Sequence, residues 1–234
     1  HTQFSKLNMS LLLMNTGYEF AKTVTELKID YKQTFGTYLS YKENNWDTNL
    51  GLYGQSGKSS DKNVTAFYAG ANLGYAVSGK FKVALGYEFL SGKDQNDVST
   101  DFKSFTPLFG TNHGFNGFMD YFYVGNHQNN VGLSDVYLKL NYVQNKWQFS
   151  LMPHLFSAPN TVLNASNVKM DSYLGTEIDF TAGYALQKGI MATAGYSQMF
   201  GTSTLERLKD GDAGNTNNWV WVMISFSPRL FSVK

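Results

Sequence analysis

The chain has 234 residues, and its 19 basic and 18 acidic side chains leave a net charge of +1. Nucleic-acid binding requires a dense basic surface, which this balance excludes, and the absence of cysteine excludes disulfides and thiolate metal sites. Only 16% of the residues are charged, whereas 16% are aromatic and 22 are glycine. This composition is typical of a membrane β-barrel, in which aromatic residues form girdles and glycines relieve strain in curved strands.

Alternation of apolar and polar residues predicts about ten antiparallel strands in a single domain spanning 1–234. In chain order they cover 3–15, 31–42, 46–56, 63–77, 80–91, 134–143, 146–156, 172–186, 188–199 and 218–227. Pro153 cannot donate to a strand ladder, so we expect a bulge there.

The predicted connections alternate in length along the chain. Tight turns lie at 43–45, 78–79, 144–145 and 187, and longer connections at about 16–30, 57–62, 92–133, 157–171 and 200–217. Short turns at one end and long loops at the other are the connectivity of a transmembrane β-barrel. The sequence also lacks the run of about 18 apolar residues that a membrane helix needs.

Charged residues avoid the apolar face of the predicted strands. None of the outward positions is a Lys, Arg, Asp or Glu; they include Leu13, Phe67, Leu174 and Val222. Contact with lipid demands this, since a lysine that faces lipid at mid-membrane costs roughly 2–4 kcal/mol. We expect outer-membrane lipid and lipopolysaccharide to cover this face. The ionisable residues on the opposite face are predicted to line the pore: Lys32, Lys42, Lys82, Glu88, Lys139, His154, Glu177 and Asp179. The alternative is a soluble β-sandwich or lipocalin-like barrel with the apolar face inward.

The long connection 92–133 is rich in aromatic residues, which favour burial over disorder. We expect it to fold against the barrel wall or into the mouth of the barrel and to constrict the lumen. The candidate constriction residues are Phe105, Pro107, Phe109, His113, Phe115, Asp120 and Tyr121. No Ser-His-Asp order or zinc-ligand spacing accompanies them, so no catalytic residue, metal or cofactor is predicted.

Three segments of the chain carry a family resemblance. Residues 102–123 read FKSFTPLFGTNHGFNGFMDYFY, residues 132–138 read GLSDVYL, and the last strand contains NWVWVMI at 218–224. They resemble the alginate-export family of outer-membrane barrels, particularly those of Bacteroidetes-type bacteria. The resemblance implies a channel in a family that includes exporters of anionic polysaccharide. Barrels of that family have more strands than we count, so we expect this chain to be part of a larger barrel.

These observations predict a passive, non-enzymatic channel for polar solutes in a bacterial outer membrane. Lysines outnumber carboxylates on the lumen face, which favours anions, and a saccharide is the other candidate. Two alternatives remain open. One is a non-conducting barrel or scaffold that docks onto envelope proteins. The other is an outer-membrane hydrolase with an acid and histidine site near the rim.

Overall fold

The computed structural model describes residues 2–108, 113–123, 127, 130–228 and 231. Their secondary structure is one sheet and one short helix. The strands are β1 (Thr2–Phe4), β2 (Leu7–Ala21), β3 (Leu27–Glu43), β4 (Trp46–Ser59), β5 (Lys62–Ala76), β6 (Phe81–Leu90), β7 (Leu133–Gln144), β8 (Trp147–Ser157), β9 (Tyr173–Gln187), β10 (Ile190–Gly201) and β11 (Asn217–Phe226), and helix α1 (Ser203–Lys209) precedes β11.

The eleven strands pair antiparallel in sequence order, which confirms the all-β prediction. Tight turns join the strands at one end of the sheet, the turn side, at 5–6, 44–45, 77–80, 145–146 and 188–189. The other end, the loop side, carries the connections 22–26, 60–61, 91–132, 158–172 and 202–216. In the part of the chain that the structure describes, β1 and β11 do not pair with each other.

Three predicted boundaries are wrong on the N-terminal side. The segment 16–30 is mostly strand, because β2 runs to Ala21 and β3 begins at Leu27. The connection predicted at 57–62 is a two-residue turn, and the strand predicted at 3–15 is divided by a turn at 5–6. The polar residues that suggested loops continue the strands instead, since backbone pairing tolerates polar side chains wherever they face water.

The outward apolar positions are exposed, as the alternation predicts: Leu13 is 82% exposed and Val222 77%. Leu174 is an exception, because it is fully buried in the core and does not face outward. The next residue, Gly175, has φ +150, and the β8–β9 register shifts at Phe156/Ser157. This irregularity redirects the start of β9.

The bulge predicted at Pro153 is not observed. The β7–β8 ladder keeps one register from the pair Tyr137 and His154 to the pair Leu140 and Leu151, but the positions between them are unpaired. Proline has no N–H to donate, so its effect is a gap in the ladder and not an extra residue.

The hydrophobic core lies at the loop side. Leu90, Phe105, Phe122, Leu133 and Phe156 are among its buried members, so the long connection 91–132 contributes to it as much as the strands do. Helix α1, which the sequence did not predict, adds Leu205. No helix among the described residues is long and apolar enough to cross a membrane.

Candidate functional site

The long connection sends a tight reversal into the concave side of the sheet. We call residues 116–119 the loop tip. Asn116 and Gly117 have positive φ values of 55° and 86°, a left-handed pair that reverses the chain within two residues. Nearby, His113 stacks on Trp219 of β11, with ring centroids 4.4 Å apart. Phe115 shares a cavity with Leu12 of β2. The sheet therefore curls around its own loop.

Four hydrogen bonds fix the loop tip to carboxylates of three strands. The Asn116 side-chain amide donates to Glu88 of β6 (3.0 Å) and to Asp135 of β7 (3.2 Å). On β9, Asp179 accepts from the backbone N–H of residue 118 (3.3 Å), and Glu177 accepts from that of residue 119 (2.9 Å). We call these four acidic residues the latch carboxylates.

Gly117 permits the close approach of the tip to β9. A Cβ atom built on Gly117 would lie 2.6 Å from Oε1 and 2.7 Å from Oε2 of Glu177. The position also has positive φ, which side chains other than glycine rarely adopt. Any larger residue at 117 would therefore push the tip away from the wall.

His154 lies among the latch carboxylates. Its Nδ1 is 2.9 Å from Asp135, its Nε2 is 3.7 Å from Asp179, and Ser197 donates to Asp179. In the described part of the chain the Nε2 atom has no hydrogen-bond partner. No described serine is therefore positioned for activation by His154, which is the arrangement that the hydrolase alternative would need.

Below the tip, on the turn side, lies a polar cavity of about 660 Å³ that we call the turn-side chamber. Strand register places Lys42, Asp47, Gly74, Ala84 and Lys139 in one row across β3 to β7. The small residues in the middle of the row leave space, through which Lys82 reaches Asp47 to form an ion pair. Asn49, Asn72 and Asn141 add amide groups to the wall.

Two lysines of the chamber have no acidic partner. Among the ion pairs of the described residues, none includes Lys42 or Lys139 within 4.0 Å. Both side chains line the cavity. The chamber lining also contains Asp47, Glu88 and Asp135, so Lys42 and Lys139 are lysines without an ion-pair partner within a lining of mixed charge.

Above the tip, on the loop side, is a second cavity of about 600 Å³, the loop-side cavity. Strands β2 to β6 form one wall and the long connection forms the other. Its lining is mainly apolar and aromatic, in contrast to the chamber.

The structure groups five of the predicted pore residues and separates the rest. Lys42, Lys82, Glu88, Lys139 and His154 line the turn-side chamber. Glu177 and Asp179 are buried against the tip. Lys32 lies apart, half-buried, with its Nζ 5.5 Å from the centroid of the Tyr18 ring.

The predicted constriction residues surround the tip but do not include it. Phe105 is in the core, Tyr121 packs against the core, and Pro107 and Phe115 line the loop-side cavity. The backbone N–H of His113 donates to Asp120 (2.8 Å), which stabilises the fold of the loop beside the tip. Phe109 lies outside the described residues.

Sequence reasoning missed Asn116 and Asp135, which join the tip to the wall. Asp135 shares the inward phase of Lys139 on β7, so the alternation could have identified it. The Asn-Gly pair at 116–117 is a recognised turn signal. Nothing in the sequence indicates where this turn inserts.

No protein-family model matches the chain, and no curated protein matches it. The resemblance to alginate-export barrels thus stays a prediction. Among solved structures, the chain is similar to that of the NanC porin in its rhombohedral crystal form, with 13% sequence identity and a TM-score of 0.47. The match covers 96% of this chain and 95% of that chain.

Proposed function

We propose that this chain forms the wall of an outer-membrane β-barrel and that its lumen is a constricted channel for small polar solutes. The observation that carries the proposal is the pair of opposite faces of the sheet. The outward face exposes a continuous apolar surface far larger than water-soluble monomers tolerate. The inward face holds the carboxylates, lysines and amides. A bilayer outside and an aqueous lumen inside satisfy both faces.

Aromatic side chains mark both edges of the apolar surface. At the turn side, Trp46 contacts Tyr75 (4.6 Å between centroids) and Trp147 contacts Tyr184 (4.7 Å) on the outward face. Towards the loop side, Phe67 stacks on Phe89. Residues 67 and 75 of β5 are eight positions apart, roughly 27 Å along a strand. Because barrel strands tilt by about 35–45°, this length corresponds to roughly 20 Å of membrane height, close to the apolar band of about 25 Å that aromatic girdles flank. This spacing supports a membrane location with lipid and lipopolysaccharide as partners.

The chemistry of the turn-side chamber supports polar solutes, with anions preferred. Lys42 and Lys139 supply positive charge, and the asparagine amides supply donors and acceptors for hydroxyl groups. Neutral or anionic saccharides fit this lining. The family resemblance at 102–123 points to the same class of solute.

Conductance in planar lipid bilayers tests whether the loop tip is the constriction. We expect Gly117→Val to raise single-channel conductance several-fold, because its side chain displaces the tip from Glu177. Gly79→Val is the matched control, since a Cβ atom at Gly79 meets nothing within 4 Å. Asn116→Ala removes two hydrogen bonds and adds no bulk beside the wall, and it should raise conductance less.

Folding of each variant is checked by the heat-dependent mobility of the barrel in electrophoresis. If folded Gly117→Val and Asn116→Ala both conduct like the parent protein, the tip does not control passage. Measurable conductance in the parent protein is itself required by the proposal.

A non-conducting barrel is the second candidate, and the latch itself favours it. Four hydrogen bonds hold the tip across the lumen, so the path between the two cavities is narrow. This candidate predicts no conductance in the parent protein and a stoichiometric envelope partner after gentle extraction. Conductance that appears only in Gly117→Val would support it.

A further inference from the structure

The loop-side cavity differs from the turn-side chamber because apolar and aromatic side chains form most of its surface. Leu12 and Met14 point inward from β2, Leu90 from β6, and Phe115 and Phe122 come from the long connection. Leu12 is 41% exposed although it faces the interior. Apolar side chains on the inward phase of a strand have no role in an aqueous lumen, where polar residues are the rule.

The size and shape of this cavity suit a small molecule. Its volume of about 600 Å³ falls within the roughly 300–1,000 Å³ of ligand pockets. Interiors of proteins are otherwise close-packed, and apolar cavities hold water poorly. An occupant with an apolar body would recover the contacts that the walls lack.

The polar groups of the cavity can accept a hydrogen bond from a ligand. Glu88 is the charged residue among the described lining residues, and neutral polar side chains come from Thr34, Tyr53, Tyr68, Thr106, Asn116, Tyr123 and His127. Neither Lys nor Arg is among the described lining residues. A carboxylate, sulfonate or phosphate would therefore be buried without a cation to offset its charge.

His127 does not supply that cation. Burial, together with the nearby Lys209 ammonium, lowers the pKa of the His127 imidazole to about 4, so the ring is neutral near pH 7. Its Nε2–H donates to the carbonyl of Gly132 (2.9 Å), and its Nδ1 lies 3.4 Å from Lys209 Nζ. The lysine itself lies behind the wall, over the Phe122 ring.

We propose that the loop-side cavity binds an uncharged amphipathic molecule, with an apolar body against Leu12, Phe115 and Phe122 and a hydroxyl or amino donor directed at Glu88. The proposed ligand class is apolar alcohols and aromatic amines, which are uncharged near pH 7. This site lies above the loop tip, and it requires only that the long connection keep its observed position. Its occupancy therefore does not depend on whether the lumen conducts.

Fluorescence binding with two aromatic probes tests the ligand class. The intact chain is placed in lipid nanodiscs, and the signal of empty nanodiscs is subtracted to remove partition into lipid. We expect 1-aminoanthracene, a neutral amine, to show saturable one-to-one enhancement. The anionic 1-anilinonaphthalene-8-sulfonate should bind at least about tenfold more weakly, because its sulfonate would be buried without a compensating cation.

Two substitutions on one strand locate the probe. Leu12→Trp fills the cavity from β2 and should weaken 1-aminoanthracene binding by about tenfold or more. Leu13→Trp changes the next residue, which faces outward and is 82% exposed, and should leave binding unchanged. Met14→Trp fills the same cavity and serves if Leu12→Trp fails to fold.

Three results would overturn the proposal. The first is an absence of saturable binding of 1-aminoanthracene. The second is equal affinity for the amine and the sulfonate. The third is a loss of affinity in Leu13→Trp equal to that in the cavity-filling variants, which would place the probe in lipid.

Discussion

The two halves of the lumen are built by the same strands and yet have opposite chemistry. On β8, Phe156 points into the loop-side core, and Met152, four residues earlier, points into the turn-side chamber. On β6, Leu90 is in the core and Lys82 is in the chamber. The inward face of β6 thus changes from charged to apolar along its length, and that of β8 changes from a cavity wall to a packed core. Period-two alternation identifies this face, but the insertion of the loop decides which part of it is packed and which part stays wet.

The loop tip forms the boundary between the halves. The latch carboxylates bind it from below, and the aromatic residues of the long connection pack above it. Most of the stability should therefore reside in the loop-side half, because that half buries apolar surface. The turn-side half should instead determine which ions pass. The predictions below test this division, starting with the largest expected effect.

Removing a core side chain should distinguish the halves most clearly. Phe156 is fully buried, with its ring centroid 4.5 Å from that of Phe122. We expect Phe156→Ala to lower the free energy of unfolding by about 3–5 kcal/mol. Met152→Ala, on the same face of the same strand, should cost at most about half as much, because its side chain borders a cavity. Urea unfolding in lipid vesicles measures both, and equal losses would contradict the division.

Acid should destabilise the loop-side half through His127. The pKa of its imidazole is about 4 in the folded protein and about 6.5 when unfolded, so the unfolded state takes up the proton first as pH falls. The contribution of the neutral imidazole to the free energy of unfolding is fully present above about pH 6.5. It decreases progressively as the pH falls towards 4, by roughly 3 kcal/mol in all. Lys209, the charged group that contacts the ring among the described residues, stays protonated throughout this window, because burial lowers its pKa only to about 8.

The test of this prediction is a comparison of unfolding midpoints at pH 7 and pH 5 for the parent protein and His127→Gln. Carboxylates contribute equally to both proteins, so the difference between their pH dependences isolates the histidine. Parallel curves would show that the His127 imidazole does not titrate in this window.

In the turn-side half, we expect each charge to change the free energy of a permeating ion by a smaller amount, on the order of 1 kcal/mol. Replacing both Lys42 and Lys139 with glutamate should shift the reversal potential in a KCl gradient towards cation preference, several-fold in permeability ratio. Lys80→Glu lies in the turn 77–80 outside the chamber and is the matched control. Similar shifts from Lys80→Glu would mean that the chamber does not set the ion preference.

The sequence by itself determined the strands, their order and their two faces. Eight of the predicted strands, from 46–56 onwards, agree with β4 to β11 within about three residues, because alternation and turn residues act locally. The same local signals failed at 16–30, where polar residues continue β2 and β3. They also failed at Leu174, which a register shift turns into the core.

Only the tertiary structure decided how the long connection is used. Aromatic content predicted that it packs somewhere, but the bonds from Asn116 to Glu88 and Asp135 join residues 28 and 19 positions apart. Such contacts form only because the whole sheet is curved, and no local sequence pattern specifies that curvature. The division of the lumen into an apolar cavity and a charged chamber follows from the same insertion. Local backbone preferences thus fixed the wall, and long-range packing of one loop fixed what the wall encloses.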